Sequence, residues 1–415
     1  MSLSYFATCL LINKMKNKNL LIIANSFPHK NCSYGGVFVK VQIDALAEYF
    51  NKIYVIAPTP HLPEFFGRFE WIPSSWRKGI NPINYSYKNI YVYFPNFFML
   101  PINFSRKKAG ERAYKASLKV ISNENINFDI IHAHFTWYAG EIGAKLKEKY
   151  KKPFVLTVHE SRDWFLEEIS SKDKKVFYSW KSADIIIRVN NIDLKELERI
   201  GIEKERLICI PNAFADYFNP LDRIEIRKKL ELPINKKILL SVSVLEIYKG
   251  HEYLIKAMKK VIEKRSDVLC FIIGSGQLKA KLQKLINDLN LNDYVKLIGA
   301  KPHDEIPLWM NACDLFVLSS LSEGNPTVMF ECLGCGKPFV GTSVGGVPEI
   351  IINDNLGYLC EPKNPDKLAE NILIALDRKW DKEYILNYAK KFSSDEIAKE
   401  TFKIYEKVID NGKGK

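Results

Sequence analysis

Leu315-Phe-Val-Leu-Ser-Ser-Leu-Ser-Glu323-Gly-Asn-Pro-Thr-Val-Met-Phe-Glu331 reads as a short strand, a loop and the start of a helix. The uninterrupted apolar run 315–318 suits a strand covered on both faces. Asn325 is a suitable N-cap and Pro326 a suitable first helical residue, which puts Glu323 in the loop and Glu331 about a turn and a half into the helix. Free amides at a helix start attract phosphate, and Gly324 lets a ligand approach the backbone. Two carboxylates flanking that point can accept hydrogen bonds from sugar hydroxyls. Taken alone, the segment also fits an ordinary strand-to-helix turn with an exposed glutamate.

Working outward, short β-branched runs alternate with longer amphipathic ones, the pattern of parallel sheets wrapped by helices. Strands are expected at 20–24, 53–57, 90–94, 130–133, 154–158 and 185–189, then at 238–244, 268–273, 295–298, 315–318 and 339–340. Leu254, Met258, Val261 and Ile262 recur at helical spacing and give one apolar face. Ile210-Pro211-Asn212 marks a seam, since proline cannot continue a ladder. The expectation is two doubly wound α/β domains, 1–210 and 211–392. Ser393 and Glu396 form a capping box for a last helix near 395–409, and the segment 393–415 is expected to cross back to the first domain.

Composition bounds the function. The 415 residues are 47% apolar and 26% charged, with 21 glycines and 19 prolines, an ordinary globular balance that excludes collagen-like, low-complexity and repeat-array chains. The net charge of +13 is uneven: residues 1–210 hold 31 Lys and Arg against 20 Asp and Glu, so the first half faces any anionic partner. The eight cysteines lie mostly in apolar runs and fit a reducing cytoplasm. The apolar run 3–12 mimics an export signal but lacks a basic n-region and a small-residue cleavage site. Residues 1–14 are therefore expected not to be native, with Met15 as the more natural beginning.

Further motifs sit at strand ends. Tyr248-Lys249-Gly250 precedes a helix, where a lysine can pair a diphosphate as a compact charge or simply be solvated. Gly274-Ser-Gly276 permits close approach of a nucleotide but lacks the third glycine of a dinucleotide fingerprint. Ser33-Tyr-Gly35-Gly36 reads as a ligand-facing loop or a helix-entry turn. His132, His134 and His159 come to one sheet edge and favour a site there. Arg188, Asn212 and Asp163 are weaker candidates for the same cleft.

Together with Gly336-Lys-Pro338, Gly345-Gly346-Val-Pro-Glu349 and Gly357-Tyr-Leu, these pieces resemble the family 4 retaining glycosyltransferases over nearly the whole chain. The resemblance implies the GT-B fold, two Rossmann-like domains facing across a cleft, with the acceptor on the first and the nucleotide sugar on the second. Glu331 would then bind the donor ribose, Glu323 the donor sugar and Lys249 the diphosphate. His159 would line the reaction centre and Gly36 would approach the sugar phosphate, with Gly274, Gly324, Asn325, Pro326 and Thr327 completing the donor site. The family commonly has arginine where this chain has Val244, and often glycine where it has Ala213. Loss of a charged hydrogen bond at the first position forfeits about 1.5–3 kcal/mol.

The resulting expectation is retaining transfer from a UDP- or GDP-sugar to a glycan or lipid-linked acceptor, in cell-surface polysaccharide or similar biosynthesis. No Asp-x-Asp occurs, which fits a metal-free site with no cofactor beyond the donor; Lys249 and the helix start would stabilise the departing diphosphate. Epimerisation or hydrolysis of a nucleotide sugar on the same fold, and a non-catalytic basic protein binding membrane or nucleic acid, are the alternatives. No nucleic-acid motif is recognisable. Gly341-Thr-Ser343-Val-Gly345 matches a nucleophile elbow, yet the last histidine, His303, precedes it. Cys332-Leu-Gly-Cys335 has no second pair at zinc spacing. Finally, 13 of the 51 aromatic residues fall within 65–104 among cations, expected either to meet the inner face of the membrane as a peripheral contact or to pack under a loop.

Overall fold

The structure is a computed structural model that describes residues 15–30, 32, 35–61, 82–100 and 108–412. The N-terminal segment 1–14 lies outside the described residues, as do 62–81 and 101–107 of the aromatic region and its basic border.

The first domain contributes strands β1 (Asn19–Ala24), β2 (Lys52–Ile56), β3 (Thr59–His61), β4 (Tyr85–Tyr87), β5 (Ile90–Tyr93), β6 (Asn96–Phe98), β7 (Ile130–His134), β8 (Phe154–Val158), β9 (Ile185–Arg188) and β10 (Leu207–Cys209). Eight of them form one sheet in the order β10-β9-β8-β7-β1-β2-β5-β4, parallel except for β4 on β5. The second domain adds β11 (Lys237–Val242), β12 (Val268–Ile273), β13 (Val295–Gly299), β14 (Leu315–Leu318), β15 (Phe339–Thr342) and β16 (Gly357–Cys360), in the order β13-β12-β11-β14-β15-β16. Its pairs are all parallel. That order is the doubly wound one, which reverses between β11 and β14; ligands bind outside the strand ends at such reversals. The first sheet reverses between β1 and β7.

Central strands such as β1, β8 and β14 are largely apolar and buried on both faces, as helices on either side require; β7 is equally buried but carries His132 and His134. Five helices position the site: α1 (Val37–Leu46), α2 (Arg162–Ser171), α3 (His251–Lys264), α4 (Thr327–Gly334) and α5 (Ser394–Gly412). At the start of α5, Ser393 Oγ accepts from Glu396 N at 3.4 Å.

The chain passes between the domains twice at one place. Phe214 N donates to Phe392 O (3.2 Å) and Ser394 N to Phe214 O (3.0 Å), a short parallel ladder between the outgoing and returning segments. Beyond it α5 packs on α1 of the first domain. Phe402 meets Tyr49 and Phe50, and Tyr405 meets Phe50.

The described part of the aromatic region is largely packing. Tyr87 donates to Asp44 (2.6 Å), Tyr85 donates to Pro28 O (2.7 Å), and Phe97 is buried against Tyr138. Among the described residues no helix is long and apolar enough to cross a membrane.

Candidate active site

The loops leaving β11 and β14 are laced together. Gly250, at φ +63°, ends the turn Ile247–Lys249 and starts α3; a β-carbon there would collide with Ser319 O, so only glycine suits the position. Ser319 Oγ donates to Gly250 O (3.0 Å) and Leu321 N to Tyr248 O (2.7 Å). This lacing carries Lys249 Nζ to 2.6 Å from Glu323 Oε1, which also accepts from Ser320 Oγ at 2.6 Å. Both members of the ion pair are largely buried. The sequence-based expectation for Lys249 and Glu323 therefore meets a single centre at the reversal of the second sheet.

Helix α4 begins at Thr327, with Pro326 at the cap position and no side chain capping its first amides. That corrects the capping role expected of Asn325. Its Nδ2 instead donates across the cleft to Val189 O at 2.6 Å, because the loop has to be fastened to the first domain where the helix begins. Gly324 explains the close fit. A β-carbon on it would lie 2.9 Å from Glu160 O and 3.1 Å from His159 O, backbone atoms of the facing domain. Asn190 Nδ2 and Gly346 N both donate to Gly324 O, at 3.0 and 2.8 Å. Asn212 Nδ2 donates to Asn325 O at 2.7 Å. Glu349 clamps the same junction, accepting from the Asn191 and Ile192 amides.

Glu331 lies on α4, buried, with Oε1 2.9 Å from His303 Nε2 and Oε2 buried without a partner. His303 Nδ1 meets the Tyr217 hydroxyl at 2.7 Å. His303 thus bridges the Glu331 carboxyl and the Tyr217 hydroxyl through its two ring nitrogens. His303 and Tyr217 were not singled out as site residues from sequence. A lone histidine before a helix has no local signal, and its partner is 28 residues away. Between the domains, a cavity of about 510 Å³ is bordered by His29, Lys30, Lys40 and Tyr85 on one side and by Tyr217 and His303 on the other.

From the first domain, Gly36 (φ +71°) precedes the uncapped start of α1. His159 follows β8; its Nε2 is 2.9 Å from His134 Nδ1 and its ring touches Phe38 and Phe135. Burial, with His134 and Arg188 as lesser causes, lowers the His159 pKa, and burial lowers His134 to about 3, so both are neutral near pH 7. His159 Nδ1 is buried and has no partner.

His132 packs on His134 with ring centroids 4.2 Å apart, so the three histidines do gather at one sheet edge; both His132 nitrogens are taken, by Tyr405 (2.6 Å) and Thr157 (2.7 Å), which tie α5 to the sheet. One further expectation is corrected. Arg188 does not face the cleft. It is wholly buried, bonding Asp193, Val158 O and Glu160 O, and it holds the loops after β8 and β9 together. Asp163 reaches the junction through its amide, 3.4 Å from Ser322 Oγ. Gly274 has an internal reason, since a β-carbon would strike Ser243 O. Val244 is 39% exposed, and its carbonyl accepts from His251 Nε2 at 3.2 Å.

Known proteins resemble this chain in both sequence and fold. The family described as Glycosyltransferase Family 4 matches residues 36–215, and that described as Glycosyl transferases group 1 matches residues 222–392. An uncharacterised glycosyltransferase of Methanocaldococcus jannaschii is 32% identical over 312 residues, 72% of this chain and 80% of that protein. A putative teichuronic acid biosynthesis glycosyltransferase of Bacillus subtilis is 27% identical over 85% of this chain and 88% of its own length. In fold the chain is similar to sucrose-phosphate synthase of Thermosynechococcus elongatus (TM-score 0.73, 18% identity, 95% of this chain and all of that one). It is also similar to Anabaena HepE, solved with UDP and glucose (TM-score 0.69, 20% identity, 94% of this chain and all of that one).

Proposed function

The chain belongs to the group 1, family 4 type of glycosyltransferases with the GT-B fold and is a glycosyltransferase of glycoconjugate biosynthesis; on that premise we propose that its cleft takes a nucleoside diphosphate sugar and passes the sugar, with retention, to a glycan or lipid-linked acceptor. The observation that carries this reading is the Lys249–Glu323 pair, 2.6 Å apart, at the sheet reversal beside the uncapped start of α4. The ammonium and the free amides are placed for a diphosphate. Glu323 and the unpartnered Oε2 of Glu331 are placed for hydroxyl donors, the first on the sugar and the second on the ribose. The solved complex of HepE with UDP and glucose supports a uridine nucleotide as the first donor to try, with guanosine as the second.

In the reaction, the bond from the anomeric carbon to the diphosphate oxygen breaks and its electron pair leaves with the diphosphate. The acceptor hydroxyl forms the new bond on the same face and gives its proton to the departing oxygen. Negative charge grows beside Lys249 and the α4 amides, where fixed donors stabilise it most. Positive charge grows on the sugar ring beside His159, whose neutral imidazole adds no repulsion. The basic first half supports a peripheral position on an anionic inner membrane face, tested by co-sedimentation with anionic vesicles at low salt.

A thermal-shift screen of UDP, GDP and their sugars identifies the donor, followed by transfer assays on the parent, Lys249→Ala and Glu323→Ala proteins. Transfer by both variants at the parent rate overturns the assignment. Release of free sugar that no added acceptor diverts overturns the transfer reading.

A further inference from the structure

A second cavity, of about 590 Å³, opens on the first domain at the carboxyl edge of its sheet. Pro60 comes from β3, Thr136, Trp137 and Tyr138 follow β7, and Trp164, Glu168 and Ser171 come from α2 after β8. The segments that leave the neighbouring strands β7 and β8 thus converge on it with the short strand β3, at the edge where α/β sheets bind ligands.

Its chemistry is specific. Trp137 and Trp164 are 36% and 56% exposed, two indoles on one opening. An indole face attracts the C–H groups that a sugar ring presents on its apolar side, while the N–H edge stays polar. Deeper in, Glu168 is more than nine-tenths buried and its Oε2 has no hydrogen-bond partner. Burial, with neighbouring Glu160 as a lesser cause, pushes its pKa up to about 10, so near pH 7 it is a neutral carboxyl able both to donate and to accept. Glu141, Glu167 and Asp173 also line the cavity, and Lys175 is paired with Glu141 at 3.2 Å. An acidic border of this kind disfavours phosphate and uronate and tolerates uncharged hydroxyls.

The cavity is joined to the reaction centre by one rigid element. The first amides of α2 touch the catalytic loop, Arg162 N donating to Glu323 O at 3.2 Å and Asp163 N to Ser322 Oγ at 3.4 Å. From there to Ser171 the helix rises about 1.5 Å per residue, roughly 14 Å from loop to far wall, the length of a short oligosaccharide.

We infer that this cavity is an acceptor subsite, which grips an uncharged saccharide unit behind the one being glycosylated, with Trp137 and Trp164 as stacking faces and Glu168 as the buried hydrogen-bond partner. The inference rests on the transfer reading above and adds the class of acceptor. Its test uses the full chain, fluorescently labelled, on an array of short neutral and uronate-bearing oligosaccharides, beside Trp164→Ala and Trp137→Ala and without donor. Retention of neutral oligosaccharides is expected, reduced about tenfold in each variant, with the thermal shift given by the donor nucleotide unchanged. Retention that survives both variants, retention of uronates alone, or no retention overturns the subsite. Tryptophan-dependent retention without any nucleotide shift would keep the subsite and overturn the donor reading instead.

Discussion

Lys249→Ala separates a lysine that serves the donor from one that merely serves the fold. The Glu323 side chain is 7% exposed and that of Lys249 15%. Removing the ammonium leaves the Glu323 carboxylate with only the Ser320 hydroxyl as a described partner. An uncompensated buried charge costs about 3–5 kcal/mol, and the retained hydroxyl brings the expected loss to about 2–3 kcal/mol. For a chain of 415 residues that is a fall of about 2–4 °C in the unfolding midpoint. Adding Glu323→Gln removes the stranded charge, so the double variant should recover most of the loss, a coupling of about 2 kcal/mol in a double-mutant cycle. Activity should not recover with it. A fixed cation facing the growing charge of a leaving group is worth about 10²–10³ in turnover. The assay is thermal or urea unfolding of the parent, the two singles and the double, with kcat and nucleoside diphosphate affinity measured on each. A Lys249→Ala protein that unfolds at the parent midpoint, or one that loses stability while keeping the parent's kcat and nucleotide affinity, refutes the reasoning.

Glu331→Gln should weaken nucleoside diphosphate binding about 10- to 100-fold by calorimetry, the value of one charge-assisted hydrogen bond; unchanged affinity would show that the orphaned Oε2 does not meet the ligand. Gly324→Ala pushes a methyl group toward two backbone carbonyls at 2.9 and 3.1 Å, with an expected cost of about 1–3 kcal/mol and a lower kcat as the domains part slightly; parent values for both would mean the cleft closes differently. Glu168 supplies a pH signature. Its pKa is raised in the folded protein above an unfolded value of about 4.3, so the folded state holds a proton that the unfolded state has lost, and stability declines as pH rises toward about 10. The stability of Glu168→Gln relative to the parent should therefore grow as pH rises between pH 6 and 8, by at most about 1.4 kcal/mol for each pH unit, read from urea unfolding; a difference independent of pH would show the carboxyl ionised in the folded state and overturn its raised pKa.

Much of the fold could be read from apolar runs. The strands Phe154–Val158, Val268–Ile273 and Leu315–Leu318 match their expected limits, because burial on both faces leaves an unbroken hydrophobic signal. Tyr85–Tyr87 was missed: it is an antiparallel edge whose residues are half-buried or exposed. Leu207–Cys209 is short and half-buried, and Gly357–Cys360 opens on a glycine and is half-buried at its centre, so neither leaves an unbroken apolar run. In the site, Lys249 and Glu323 were legible because strand-end loops advertise themselves through glycine and proline. Asn325 was misread because its partner, Val189, is distant in sequence. His303 and Tyr217 were overlooked for the same reason.

The packing of Tyr405 on His132 and of Phe402 on Tyr49 has a consequence in time. During synthesis, residues from β1 to β10 emerge from the ribosome long before Ser394–Gly412 exists, so the face of α1 waits uncovered while the entire second domain is made. A nascent or shortened protein ending near residue 392 would thus present a greasy, unfinished surface. Chaperone dependence and insolubility of such fragments, rather than mere inactivity, is the behaviour this arrangement entails.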